Sequence, residues 1–210
     1  MIEAVIFDFG GVITSSPFEA FARYEAERGL PAGLIRTVNA TNPDSNAWAR
    51  LERSEIDLAG FDALFLAEST ALGHPVPGRE VLPLLAGDVR PGMVAALRAC
   101  KARFKVGCIT NNVASDKDIG WGGSVAGILA LFDHVIESSK AGLRKPDPRI
   151  YVMMCEVLGV DPKACVYLDD LGINCKPAAA LGMTAIKVTG EAQALADLAR
   201  ATGLPLSPEA

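Results

Sequence analysis

The chain has 210 residues, half of them apolar and 21% charged, with a formal charge of −5. That length allows one sizeable core, or a core with a smaller appended unit. The 20 basic residues lie singly or in small groups, without the basic stripe that nucleic-acid binding requires, so neither a nucleic acid nor another polyanion is an expected partner. In chain order, Ala4–Phe7 is a short apolar run ending at Asp8, and it predicts a buried strand. Ser16 and Glu19 around Pro17 form a capping-box pattern that opens a helix with Phe18, Phe21 and Ala22 on one face. Further helical stretches follow at Trp48–Arg53 and Leu58–Leu72, with no clear strand among them. Trp48, Phe18 and Phe21 are expected to be core residues of this helical region. Ala86–Gly92, with Pro91 and two glycines, is the expected return hinge.

After the hinge, Pro91–Phe104 shows Met93, Ala96, Leu97 and Cys100 at helical spacing, and Val106–Ile109 is a second strand ending at Thr110. Residues 122–136 are the most apolar stretch. Asp133 and His134 break it, so it falls short of the roughly 18 uncharged apolar residues of a membrane span and reads as a buried helix and strand. Pro148–Leu158 carries Ile150, Tyr151, Met154, Val157 and Leu158 on a helical pattern, with Asp147 placed to cap it and Gly159 just past its end. Cys165–Leu168, ending at Asp169, and Thr184–Val188 are two more strands, and 204–210 is expected to be a loose tail. Alternating strands and helices imply an α/β fold, a Rossmann-like parallel sheet covered by helices, with a small helical insertion after the first strand. The expected division is a catalytic core of residues 1–15 and 88–210 and a helical unit of 16–87.

The N-terminus lacks a basic n-region, so no signal peptide is expected and the protein is expected to be cytoplasmic, away from membranes. The five cysteines include no C-x-x-C pair and are expected to be reduced, buried thiols. His74 and His134 are not expected to be catalytic. Nothing in the sequence indicates the oligomeric state.

In an open parallel sheet, ligands bind beyond the carboxyl ends of the strands. Three strand ends here carry Asp8, then Thr110-Asn111, then Asp169-Asp170. Lys145 precedes Pro146, which pushes its backbone out of helical geometry and lets it reach from a loop. Acidic groups suit a hard cation held through oxygen, and a hydroxyl, an amide and an ammonium suit an anion beside it. The set predicts a Mg²⁺–phosphate site.

The wording of these segments resembles the haloacid dehalogenase-like hydrolase superfamily, in its subfamily with a type I cap. Val5-Ile6-Phe7-Asp8-Phe9-Gly10-Gly11-Val12-Ile13 is similar to its first motif, Ile109-Thr110-Asn111-Asn112 to its second and Arg144-Lys145-Pro146-Asp147-Pro148 to its third. Leu168-Asp169-Asp170-Leu171-Gly172-Ile173-Asn174, followed by Gly182-Met183, is similar to its fourth. The phrasing is nearest to the phosphatase domain of bifunctional soluble epoxide hydrolases and the N-terminal domain of an acyl-CoA dehydrogenase family member. The resemblance implies a phosphatase acting on a small phosphorylated metabolite. Asp8 would be the nucleophile that becomes an aspartyl-phosphate, and Lys145 would offset its charge. Thr110, Asn111 and Lys145 would hold the phosphate. Asp8, the Gly10 carbonyl and Asp170 would hold Mg²⁺; Asp169 would be a further ligand or, with Asn174, an outer shell.

One position departs from the pattern. Where most family phosphatases carry a second Asp that serves as acid and base, this chain has Gly10. The resemblance therefore leaves open a slow phosphatase, a protein that binds a phosphorylated ligand with little turnover, and a haloacid dehalogenase, which needs no proton for its halide.

Overall fold

The computed structural model describes residues 1–113 and 123–206. Five strands form one parallel sheet: β1 (Ala4–Phe7), β2 (Lys105–Thr110), β3 (His134–Glu137), β4 (Cys165–Asp169) and β5 (Thr184–Lys187), in the order β3-β2-β1-β4-β5. The chain leaves β1 toward β2 and β3 on one side and later returns to β4 and β5 on the other. The carboxyl ends of β1, β2 and β4 therefore line one switch point, where connections diverge and leave a crevice.

Alternate strand residues point to opposite faces. Val5, Phe7, Val106, Cys108, Val166 and Leu168 pack with α6 (Pro91–Lys101) and α11 (Glu191–Thr202). Ala4, Ile6, Ile109, Cys165 and Tyr167 pack with α9 (Pro148–Leu158) and α10 (Gly172–Ala180). Both faces are covered, which is why the strands read as unbroken apolar runs. The five cysteines are free and buried. Asp147 caps α9 by accepting from the Arg149 N–H, and Gly159 ends it in left-handed geometry at φ 62°. Such a position favours glycine, which has no Cβ to clash.

Between β1 and α6 the chain forms α1 (Pro17–Glu27), α2 (Leu34–Ala40), α3 (Ala47–Glu52), α4 (Leu58–Ala71), α5 (Gly78–Val81) and a 3-10 turn at Leu82–Leu85. Their buried residues, including Phe21, Trp48, Phe61 and Phe65, make a cluster separate from the two beside the sheet. The incoming and outgoing segments run side by side: Thr14 bridges Val89, and the Ser15 N–H donates to the Asp88 carbonyl at 2.8 Å.

Several sequence expectations are corrected here. Ser16 precedes α1 as predicted but makes no side-chain cap; its hydroxyl is drawn instead to Asp170. Ala22 is exposed and Glu25 is buried in its place. The Glu25 carboxylate accepts the N–H groups of Gly33 and Ile35 at 2.6 and 2.8 Å, satisfying donors that the first turn of α2 leaves unpaired. Val157 is 52% exposed, because it falls off the stripe set by Ile150, Tyr151, Met154 and Leu158. In the expected tail, Leu204 is buried and Leu206 packs against the main core; residues 207–210 lie outside the described residues. The apolar stretch 122–136 forms α7 (Gly123–Leu129) and β3, as read, with residue 122 outside the described residues.

Candidate active site

Asp8 follows the last residue of β1, and its N–H donates to the Leu168 carbonyl of neighbouring β4 at 2.8 Å. This hydrogen bond sets Asp8 beside the end of β4, where Asp169 closes the strand and Asp170 begins the next turn. One oxygen from each of Asp8, Asp169 and Asp170 lies within 4.8 Å of the others. Three carboxylates so close, in partly buried surroundings, require counter-charge.

Lys145 supplies part of it. Its side chain is 1% exposed, and its Nζ lies 2.6 Å from Asp8 Oδ1 and 2.8 Å from Asp169 Oδ2. Burial alone would favour the neutral amine, but the charges of Asp169 and Asp8 outweigh it and hold the ammonium well above the ordinary lysine range. Asp8 is pushed up by burial, which the charge of Lys145 opposes and those of Asp169 and Asp170 reinforce. Asp170 is also raised, first by burial and then by Asp169.

The adjacent aspartates are not equivalent. Asp169 ends β4 fully buried. Its Oδ2 accepts from Lys145 Nζ, from the Tyr167 hydroxyl at 2.5 Å and from Asn174 Nδ2 at 3.1 Å, and its Oδ1 accepts from the Leu171 N–H at 2.8 Å. Asp170 lies beyond the strand and accepts the Ser16 hydroxyl at 3.0 Å. Gly11 makes that approach possible: a Cβ there would come 2.2 Å from Asp170 Oδ2, and its φ of +76° is left-handed. Arg90 Nη1 anchors the same loop through the Gly11 carbonyl at 2.6 Å. Gly10 differs, since a Cβ built on it meets no atom within 4 Å.

Thr110 ends β2, beside β1, and is 4% exposed. Asn111 turns its side chain to the backbone of Lys145: Oδ1 accepts the Lys145 N–H at 2.9 Å, and Nδ2 donates to the Lys145 carbonyl at 3.1 Å. Asn112 donates to Glu137 Oε1 at 2.8 Å and accepts from Ser139, tying the loop after β2 to the end of β3 and to the short helix α8 (Ser138–Ala141). Lys145 and Pro146 are joined by a cis peptide bond.

Of the residues the sequence singles out, Asp8, Lys145, Asp169 and Asn174 form one hydrogen-bonded cluster, with Asp170 close beside it, whereas Tyr167, Ser16, Gly11 and Arg90 have no site role in the sequence alone. Tyr167 carried a readable signal, because two residues apart on a strand means the same face as Asp169. Ser16 and Arg90 are distant in sequence from their partners and carried none.

The donor set fits a divalent cation. Three carboxylates against one ammonium leave a formal deficit of two positive charges, and oxygen ligands suit Mg²⁺. Both oxygens of Asp169 are already engaged by protein donors, so Asp8 and Asp170 are the better-placed ligands.

A Rossmann-like parallel sheet with a carboxylate cluster at its switch point makes a polar ligand site beyond the strand ends. The sequence profile described as haloacid dehalogenase-like hydrolase matches residues 2–182, and the chain belongs to that family. It is 32% identical over 97% of its length to acyl-CoA dehydrogenase family member 10 of Mus musculus, spanning 19% of that protein. It is 30% identical over 98% of its length to bifunctional epoxide hydrolase 2 of Sus scrofa, spanning 40% of it. The chain thus corresponds to less than half of these two relatives. A Mycobacterium tuberculosis protein named as a phosphatase is 30% identical, with 91% of this chain and 89% of the relative covered. Among solved structures, a HAD family enzyme of Bacteroides thetaiotaomicron in complex with magnesium and inorganic phosphate superposes with a TM-score of 0.61. It shares 20% identity, over 89% of this chain and 93% of that one. An L-2-haloacid dehalogenase of Xanthobacter autotrophicus superposes at 0.62 with 21% identity, over 98% and 86%. These two likenesses bear on the fold. No helix among the described residues is long and apolar enough to cross a membrane.

Proposed function

We propose that this hydrolase is a Mg²⁺-dependent phosphatase that cleaves a small phosphorylated metabolite through an aspartyl-phosphate on Asp8. The observation that carries the reading is the buried ammonium of Lys145 held between Asp8 and Asp169, with Asp170 alongside. A carboxylate nucleophile and a phosphate dianion repel each other, and a fixed, desolvated cation offsets that repulsion where it is largest.

In this mechanism Asp8 attacks phosphorus. Lys145 keeps one N–H on Asp8 and presents its charge to the phosphoryl oxygens, while Asp169, Tyr167 and Asn174 hold Lys145 in place. The Thr110 hydroxyl and the Asn111 N–H bind the phosphate, and the Asn111 side chain fixes the Lys145 backbone. Asp8, the Gly10 carbonyl and Asp170 would hold Mg²⁺, which would supply neutralising charge. Asp169 is assigned here to Lys145 instead of the ion. Residues 16–87 act as a helical cap on a core of 1–15 and 88–210. Its contacts with the core support that role: Arg144 Nε meets Glu52 at 2.6 Å, and the Ser54 hydroxyl donates to the Ser139 carbonyl at 2.9 Å. A closing cap excludes water and favours small substrates.

The test is phosphate release from a panel of phosphorylated metabolites and 4-nitrophenyl phosphate, with and without Mg²⁺. Release should need both Mg²⁺ and Asp8. Activity that persists unchanged in Asp8→Asn would overturn the assignment of the nucleophile.

A further inference from the structure

The helical insertion meets the core beside the site. Arg144 directly precedes Lys145, and its guanidinium reaches the insertion at both ends of α3. Nε lies 2.6 Å from Glu52 Oε2, on the last residue of that helix, and Nη1 donates to the Pro43 carbonyl, ahead of its start, at 2.9 Å. The side chains of this ion pair are only 20% and 14% exposed, so water and salt screen it less than a surface pair. A third link joins the Ser54 hydroxyl to the Ser139 carbonyl at 2.9 Å. Among the described residues, the non-glycine positions with left-handed backbone are Asn42 and Ser54, at φ 50° and 57°. A residue with a Cβ occupies that region at a cost, which a fold bears where a fixed geometry is required. Both positions fall at the links: Asn42 precedes Pro43, and Ser54 carries the bonded hydroxyl. Within the insertion, Arg53 Nη2 donates to the Asp44 carbonyl at 3.1 Å and Asn46 Nδ2 to the Thr41 carbonyl at 3.0 Å. Residues 41–54 thus form a braced rim shaped to the 139–144 segment of the core.

The core side is braced as well. The Arg144 carbonyl accepts the Asp147 N–H at 2.9 Å, and the Asn111 side chain holds the N–H and the carbonyl of Lys145 at 2.9 and 3.1 Å. Lys145 is therefore held by Asn111 from the core and, through its neighbour Arg144, from the insertion. Resting on the reading of residues 16–87 as a cap and of Lys145 as the charge beside the nucleophile, we propose that Arg144 is a positioning residue that couples the seating of the cap to the placement of Lys145. With the rim seated, Arg144 is fixed at two points and the Lys145 backbone is restrained from both sides. With the rim lifted, the guanidinium loses both partners and turns to water, and residues 144–147 keep only their core contacts. The ammonium is then fully placed only beneath a seated cap, so a substrate that lets the cap seat also sets the charge that offsets its phosphate. Lysine is no substitute for Arg144, because an ammonium is a point donor on a flexible stem and the two partners here are met by separate arms of a planar fork.

Amide hydrogen exchange on the full chain, without metal or substrate, tests the coupling in Arg144→Lys and Glu52→Gln. Peptides covering 41–55 and 139–147 are followed together, with α11 as the reference. Losing a hydrogen bond to a charged group predicts exchange faster by about tenfold or more in both regions of both variants, with α11 unchanged. Faster exchange in 41–55 alone would mean that the pair only fastens the rim, and it overturns the proposal. Exchange that is unchanged in both regions, faster in 139–147 alone, or faster in α11 as well also overturns it. Glu52→Gln keeps the size and shape of the side chain and decides the matter should Arg144→Lys fail to fold. Steady-state kinetics on 4-nitrophenyl phosphate with Mg²⁺ give a second readout. The expected result is a kcat lower by about tenfold in both variants with KM changed by less than about threefold, whereas a rise in KM alone overturns the coupling to Lys145. If the unaltered protein releases no phosphate, the phosphatase reading fails, and the exchange result still decides whether the rim and the Lys145 loop move together.

Discussion

Replacing Tyr167 by Phe deletes one oxygen and leaves the ring in place against Tyr151, whose centroid lies 5.2 Å away. The lost hydroxyl is fully buried and donates at 2.5 Å to Asp169 Oδ2, itself 0% exposed. A hydrogen bond to a charged group contributes about 1.5–3 kcal/mol net, and water has no path to replace this donor. Asp169 keeps Lys145, Asn174 and the Leu171 N–H, so the carboxylate is weakened without being orphaned, and the lower half of that range is expected. For a chain of this size each kcal/mol shifts Tm by about 2–4 °C, so the lower half of the range gives a fall of about 3–9 °C. Thermal unfolding of Tyr167→Phe beside the unaltered protein, at pH 7 without metal, is the measurement. A Tm within about 1 °C of the unaltered protein, or above it, would refute the argument that Tyr167 stabilises an ionised Asp169.

Gly10→Asp meets no steric barrier at its Cβ, so it should add an acid and raise turnover of alkyl monoesters more than that of 4-nitrophenyl phosphate, by up to about 10²-fold or more; steady-state kinetics on the two substrates decide it. Gly11→Ala should do the opposite kind of harm. Its Cβ would come 2.2 Å from Asp170 Oδ2 at a φ of +76°, so a loss of about 1–3 kcal/mol in chemical denaturation is expected, together with weaker Mg²⁺ binding by calorimetry. Metal binding should depend on pH with a definite sign. Burial, with neighbouring carboxylates, raises both Asp8 and Asp170 above the ordinary carboxylate value, so the metal-free fold binds their protons more tightly than the unfolded chain does. Their contribution to metal-free stability is therefore greatest at low pH and is lost as pH rises from about 4 through the raised values. Mg²⁺ needs the ionised forms, so its affinity should climb over the same interval with release of protons, measurable by calorimetry in buffers of different ionisation enthalpy. An affinity independent of pH across that interval would contradict the raised values.

Much of the site was legible because its chemistry lies at the ends of strands, and strand ends are local features. Apolar runs closed by Asp8, Thr110 and Asp169 announced both the sheet and the residues above it, and the Asp147–Pro148 and Gly159 signals bounded α9 as observed. The four motifs determined the family for the same reason, since each is a contiguous run. The division of labour between Asp169 and Asp170 was not legible. Identical side chains one residue apart differ only in what surrounds them, and Tyr167, Asn174 and Lys145 converge on one while Ser16 reaches the other from 154 positions away. Ser16 shows the limit most directly: as local sequence it is a helix cap, and as part of the folded molecule it is a ligand of Asp170. The side-chain contacts of Asn111 with the Lys145 backbone, and the strand order that makes β1 the neighbour of both β2 and β4, are likewise pairings across long stretches of chain. Residue type and spacing determine which groups are available. Only the closing of the sheet, which brings distant segments within hydrogen-bond reach, decides which of them meet.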